Sequence, residues 1–273
     1  MSLRVNLANH FAIGFHEEWR RRQGLLGKNL LKLFYKDCLR QGVDIVGVAS
    51  EEAKPIIRGS VDDRFGWLIR HCVPELTRDG EYSFLEIDGN TFGLFKRGEG
   101  AVTFVNAQTI QAKYPDVRGT TMKVLVFGGY YFENGLPLKE TLKRIALDRC
   151  LVIAENQFSE GIHSLEARAI RELVSLYDAM VVHDAQQGKK TNEYAKSLSQ
   201  EISLPGVAIG NQHSPSRCKA GIIVPERSAI RNSTSDLVIS LRDILGKKAH
   251  DIDSSYENPF TKLRWGFSIQ IGH

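Results

Sequence analysis

Cysteine is scarce in this chain of 273 residues. There are 4, at Cys38, Cys72, Cys150 and Cys218, and no two stand in a C-x-x-C pair. That spacing excludes a disulfide framework and a zinc-finger pattern, and it fits reduced thiols in a cytoplasmic protein. No apolar run has the length of a membrane-spanning helix. The N-terminus lacks the apolar core of a secretory signal, so a cytoplasmic location is expected. Three common catalytic signatures are missing too. There is no G-x-x-x-x-G-K-[ST] phosphate loop, no G-x-G-x-x-G behind a strand and no G-x-S-x-G elbow. ATP, dinucleotide and serine-hydrolase chemistry therefore lose their sequence basis. Internal repeats and low-complexity tracts are absent as well.

What is there is ordinary globular material: 42% hydrophobic, 25% charged and 9% aromatic residues. A chain of this length buries about three-quarters of its unfolded surface, so it needs neither disulfide nor metal to fold. The net charge of +4 is mildly basic. The basic residues are spread out, with Lys189-Lys190 and Lys247-Lys248 only short pairs, so the stripe of a nucleic-acid domain is missing. An anionic small molecule suits this balance without being demanded by it.

Hydrophobic spacing predicts an alternation of strands and helices. Strands are expected over residues 3–8, 43–48, 124–127, 151–154, 179–182, 207–209 and 221–224. Leu30, Phe34 and Cys38 recur at helical spacing, and Gly42 ends that helix. Phe65, Leu68 and Ile69 predict a second helix that stops before Pro74. Further helices are marked by Leu138, Leu142 and Ile145, by Leu165, Ala169 and Leu173, and by Tyr194, Leu198 and Ile202, the last with Thr191 or Asn192 as cap. Leu237, Leu241 and Leu245 mark the final one, with its start at 233–235 and its end at Gly246. The middle differs: short strands at 83–87, 91–96 and 101–105, with Asp88-Gly89-Asn90 as a hairpin turn. The expectation is one α/β barrel over residues 1–246, a β-hairpin segment near its middle, and a polar tail over 247–273 that packs on the barrel or is mobile.

Chemistry in a parallel α/β barrel gathers where strands end. A single polar residue there ordinarily faces water or caps a helix. Here five edges carry imidazole, carboxylate or amide groups, the ligand types of hard or borderline divalent metals. They are Asn6, Asn9 and His10; Ser50, Glu51 and Glu52; Glu155 and Asn156; His183 and Asp184; and Asn211, Gln212 and His213. Arg20, Arg21 and Arg22 lie in the loop after the first strand, placed to meet a phosphate group.

The stretch from Val5 to His10, the helix after it, and the run from Gly42 to Glu51 resemble the opening of the PHP (polymerase and histidinol phosphatase) superfamily. That opening reads D-L-H-x-H and then G-L-D-x-I-A-I-T-D-H. Residues 209–213 with Ala220-Gly221 resemble the closing G-S-D-A-H motif, and residues 151–158 resemble the A-H-P strand. The order fits over residues 3–245. The resemblance implies a distorted (β/α)7 barrel of PHP type and a metal-dependent phosphoesterase with two or three divalent ions.

The likeness lies in the framework more than in the chemistry. His10 and His213 keep the family's histidines. Asn6 stands for the opening Asp, Ala8 for the first His, Ala49-Ser50-Glu51 for T-D-H, Glu155 for the A-H-P histidine and Asn211 for the closing Asp. Glu86 is the nearest match for the metal-bridging glutamate. The resemblance therefore implies a ligand set of His10, Glu51, Glu155 and His213, with Asn6, Asn211 and Glu86 beside it, and the strand-end reading adds His183. That set leaves room for one divalent ion, Mn, Zn or Mg, but a multi-metal hydrolytic centre is weakened. The leading expectation is a degenerate PHP-like barrel with little or no phosphoesterase activity, acting as a binding or interaction module for a phosphorylated small molecule or a protein partner. The alternative is a metal-dependent phosphoesterase with a rewired ligand set.

Overall fold

A computed structural model describes residues 2–9, 29–50, 64–114, 121–129, 132–155, 163–184, 187–210, 220–225 and 233–254. In chain order the elements are β1 (Ser2–Asn9), α1 (Leu30–Gln41), β2 (Ile45–Ser50), α2 (Arg64–Trp67), a π turn (Leu68–Cys72), α3 (Val73–Thr77), β3 (Tyr82–Asp88), β4 (Thr91–Lys96), β5 (Gly100–Lys113) and β6 (Thr121–Phe127). They continue as α4 (Leu138–Leu147), β7 (Leu151–Ala154), α5 (His163–Glu172), β8 (Ala179–Asp184), α6 (Lys189–Glu201), β9 (Gly206–Ile209), β10 (Gly221–Pro225), α7 (Thr234–Gly246) and β11 (Asp251–Asp253). None of the described helices is long and apolar enough to cross a membrane.

One sheet runs in the order β11-β10-β1-β2-β5-β6-β7-β8-β9. The joins β1–β2, β2–β5, β7–β8 and β8–β9 are parallel. β6 runs against both β5 and β7, and β10 runs against β1, which is the distortion in this (β/α) barrel. The sheet nearly closes on itself: a Cβ placed on Gly210, just after β9, would stand 2.9 Å from Asn6 Nδ2 of β1. β11 pairs antiparallel with β10, so the sheet reaches past residue 246.

Local chemistry explains most element ends. Asn29 caps α1 by accepting the Lys32 N–H, and Gly42 ends it in the left-handed region at φ 65. The expected stop before Pro74 does not occur. The chain passes through the π turn, and Pro74 falls in the first turn of α3, where a missing N–H costs nothing. Asn29 Nδ2 donates to the Cys72 carbonyl at 2.8 Å, tying this irregular helix to the start of α1. The hairpin turn at residues 88–90 is present, but β5 is 14 residues long where a short strand was expected. It can be that long because it changes partner midway: β4 pairs with its first half and β6 with its second. α6 is capped by Gly188 rather than by Thr191 or Asn192.

Side chains from the inner faces of the strands, Val5, Leu7, Val105, Phe127, Ile153 and Val207 among them, share one cluster with Leu237 and Leu241 of α7. A second cluster packs α1 and the α2–α3 stretch on the outside of β2, β4 and β5, with Phe92 stacked on Phe104 at 4.9 Å between ring centroids. A third packs α4, α5 and α6 on the outside of β6, β7 and β8. The hairpin turn is pinned to α7 by Asp88, whose Oδ2 accepts the Thr234 N–H at 2.6 Å. Burial alone would raise the Asp88 carboxyl, but the bonds from Thr234 and the turn's own N–H groups hold it below the ordinary value.

Two glycines let neighbouring strands close on β1. A Cβ on Gly47 would lie 2.2 Å from the Leu7 carbonyl oxygen and 3.1 Å from the Phe127 ring, and one on Gly221 would lie 2.4 Å from the Val5 carbonyl oxygen. Gly47→Ala is therefore expected to cost about 3 kcal/mol, since backbone must move to admit the methyl. Thermal melts check this: a fall of roughly 10 °C is expected, and an unchanged Tm would show that β1 and β2 separate without cost.

Candidate functional site at the barrel mouth

The mouth of the barrel is the edge where β1, β2, β5, β7, β8 and β9 end. Which side chains enter it follows from alternation along each strand. On β5, Val105 and Ala107 belong to the interior cluster, so Thr109 faces inward. On β7, Leu151 and Ile153 do, so Glu155, one residue past the strand, shares their face. The structure agrees: Thr109 Oγ1 donates to Glu155 Oε2 at 2.9 Å. Glu155 is 4% exposed, so its carboxylate is held in place and largely screened from water.

Alternation fails on β8 and β1, and this decides the site. On β8 the register runs Val181 opposite Val207 and then His183 opposite Ala208, so Val182 is an extra residue, a bulge. Beyond it the faces exchange. His183 now pairs with Ala208, which lies between the interior residues Val207 and Ile209, and so points to the helix layer. There Asn192 Nδ2 stands 3.5 Å from His183 Nδ1. Asp184 pairs with Ile209 and takes the inward position. His183, expected near the metal ligands, is thus turned away, and Asp184, its neighbour among the strand-end groups, takes the inward position with 0% exposure.

β1 has a similar shift, with Asn6 opposite Val46 and Asn9 opposite Val48. Val46 and Val48 belong to the outer cluster, so Asn6 and Asn9 lie on the outer face, while Leu7 and Ala8 both join the interior. Asn6 Oδ1 accepts the Ala8 N–H at 3.2 Å, which turns Nδ2 toward Gly210; Nδ2 is buried and has no hydrogen-bond partner among the described residues. Asn6 therefore offers its amide donor to the seam rather than an oxygen to a metal.

The other expected site residues fall as follows. Glu86 is exposed on the hairpin, two strands out from β5. His10, Arg20, Arg21, Arg22, Glu51, Asn211 and His213 lie outside the described residues. Two further buried residues carried no signal in the sequence analysis. Arg64 is 4% exposed and opens α2, with its Nη1 donating to the Ala49 carbonyl at 2.9 Å and its backbone N–H to Ser50 Oγ at 3.1 Å. Glu166, 5% exposed in the first turn of α5, has Oε2 without a partner among the described residues. Burial pushes its carboxyl up to about 7.

Glu155 and Asp184 are oxygen ligands of the kind that one hard divalent cation accepts, and they lie on the same face of neighbouring strands. Ala8 and Ala49, also on that face, offer only methyl groups. Among the described residues no three His, Cys, Asp or Glu side chains gather into a metal-binding group. The described donor set therefore fits a share in one ion and not in a cluster of several.

No protein-family model and no curated protein matches the chain. Solved structures do. PsfC from Pseudomonas syringae PB-5123 superposes with a TM-score of 0.53 at 11% identity, over 90% of this chain and 98% of that one. A two-domain protein from Bacteroides vulgatus ATCC 8482, described as containing a predicted PHP-like metal-dependent phosphoesterase, superposes with a TM-score of 0.51 at 9% identity, over 92% of this chain and 64% of that one. The chain has the PHP-type barrel fold that the sequence resemblance implied.

Glu166 makes stability depend on pH in a readable direction. Its folded-state value of about 7 lies above the ordinary 4.5, so the folded state keeps a proton that the unfolded state loses between those values. Its contribution is present below about 4.5 and is lost as the pH rises to about 7. Glu166→Gln is expected to melt higher than the parent at pH 8 and to show less difference at pH 4.5. An equal offset at both would mean that the carboxyl titrates normally.

Proposed function

We propose that this chain is a PHP-like binding barrel that holds a phosphorylated small molecule at its mouth through at most one divalent ion, with little or no phosphoesterase activity. The observation that carries this reading is the lumen face of the mouth. It offers two buried carboxylates, Glu155 and Asp184, beside the methyl groups of Ala8 and Ala49. Hydrolysis of a phosphoester at such a barrel asks metal ions both to activate water and to stabilise the leaving oxygen. A single ion on a sparse ligand set would supply charge for binding a phosphate and little of that double task. Of this chain's own residues, Thr109 orients the Glu155 carboxylate, and α7 seals the barrel interior behind it. The mildly basic balance of +4 agrees with an anionic ligand.

The alternative, a phosphoesterase with a rewired ligand set, is favoured by one observation: the two lumen carboxylates occupy neighbouring strands. Elemental analysis of the purified protein, titration with Mn²⁺ and inorganic phosphate, and assay of aryl phosphomonoesters and phosphodiesters separate the two. The expected result is no more than one equivalent of metal, saturable phosphate binding and no metal-stimulated turnover. Turnover stimulated by Mn²⁺ and abolished by Glu155→Gln would overturn the proposal in favour of the enzyme.

A further inference from the structure

We propose that Lys123 is the residue that meets the anionic group of the ligand at the mouth. This rests on the functional reading above and names a protein contact for the phosphate. β2 pairs with β5 only as far as Gln108, opposite Ser50, while β5 runs on to Lys113 with β6 beside it. The β5–β6 ribbon therefore stands above the rim as a wall. The direction of its side chains follows from a register without shifts. On β6, Met122, Val124 and Val126 belong to the outer cluster, and Leu125 and Phe127 to the interior one. Lys123 takes the next inward position, and it is half-buried. Across the two ladders it stands opposite Gln111 of β5 and, one step past the Val124–Ala154 pair, opposite Glu155. The Glu155 N–H donates to the Lys123 carbonyl at 3.2 Å. Unlike charges opposite each other on one face of a sheet ordinarily pair. Here Glu155 Oε2 accepts the Thr109 hydroxyl, and Lys123 makes no ion pair among the described residues. The inward positions of the wall, Thr109, Gln111, Lys113, Thr121 and Lys123, include no acid. An ammonium with unused donors beside a carboxylate suits a ligand that brings a phosphate together with its cation. The wall itself is fixed. The Gln108 amide holds both backbone groups of Phe132 at 2.7 Å, the Gln111 N–H donates to Asn134 Oδ1 at 2.7 Å, and the Gln111 carbonyl accepts the Gly135 N–H at 2.7 Å. The lysine stem thus starts from a backbone braced on both edges.

Four variants test this by calorimetric titration with inorganic phosphate in the presence of Mn²⁺ and, separately, with Mn²⁺ alone, alongside thermal melts. Lys123→Met keeps the apolar stem and removes the charge, and Lys123→Gln removes it with a polar side chain in its place. Both are expected to weaken phosphate binding by about 10-fold or more, the scale of one charge-assisted hydrogen bond. Their affinity for Mn²⁺ alone is expected to stay equal or rise, because a like charge near the cation is gone. Lys123→Arg is expected to keep most of the phosphate affinity. Lys143→Met removes the same charge from an exposed position on α4 and is expected to bind phosphate as the parent does. Parental phosphate affinity in Lys123→Met and Lys123→Gln, or an equal loss in Lys143→Met, overturns the proposal and leaves the functional reading standing. A lowered Tm with Mn²⁺ and phosphate affinity falling together in both charge-removing variants would mean that Lys123 only holds the wall in place, and this also overturns it. Failure of the parent to bind phosphate overturns both.

Discussion

The structure depends on how closely other strands approach β1. Gly47 of β2 and Gly221 of β10 bring strands against the Leu7 and Val5 carbonyls at distances where no side chain fits, and Gly210 beyond β9 does the same against the Asn6 amide. A barrel closes only if its strands share a tilt and a spacing, and any side chain between the backbones at the closing strand would pry it open. Here the closing strand is the one that carries Ala8 to the lumen. The packing that lets the barrel form therefore also sets the floor of the mouth. The Phe127 ring, 3.1 Å from where a Gly47 Cβ would stand, fills the space that this glycine leaves.

The far edge of the barrel is held by polar bonds instead. Asp44 and Asp178 stand just before β2 and β8, and each accepts a backbone N–H from the neighbouring strand that precedes it, from Arg4 of β1 at 2.8 Å and from Val152 of β7 at 2.9 Å. Arg242 of α7 ties into the same place, donating to Asp178 at 2.6 Å and to the Cys150 carbonyl at 2.6 Å. These partly buried, charge-assisted bonds fix strand ends that would otherwise fray. At the hairpin, Asp88 does the same work on the first turn of α7, where a carboxylate also suits the helix dipole. The edge opposite the mouth is thus fixed by hydrogen bonding.

The mouth shows how little a residue's type reveals of its direction. Three polar residues, Asn6, His183 and Asp184, sit in strand-end runs of much the same character. The bulges on β1 and β8 sort them, leaving Asn6 and His183 outside and bringing Ala8 and Asp184 in. An imidazole is exchanged for a carboxylate on β8 without any change of sequence, and the charge facing the lumen changes with it. Thr109 had no motif to announce it, yet it is the residue that fixes Glu155.

Much of the framework was legible in the residues. Period-two and period-3.6 spacing marked the strands and helices, Gly42 and Ser233 marked helix ends, and Asp88-Gly89-Asn90 marked the hairpin, because each of these is a local preference of backbone or side chain. The order of motifs from Asn6 to His213 was enough to anticipate the PHP-type barrel. The length of β5 was not legible, since a strand that changes partners midway shows no break in its own sequence. Nor was the course of the chain through Pro74, where a π turn and the Asn29 side chain take up the carbonyl. Sequence by itself determined which elements form and which residue types reach the strand ends. Only the tertiary structure decided which of those residues share the lumen. One extra residue in a strand exchanges its two faces, and that shift exists only in the pairing with the neighbouring strand.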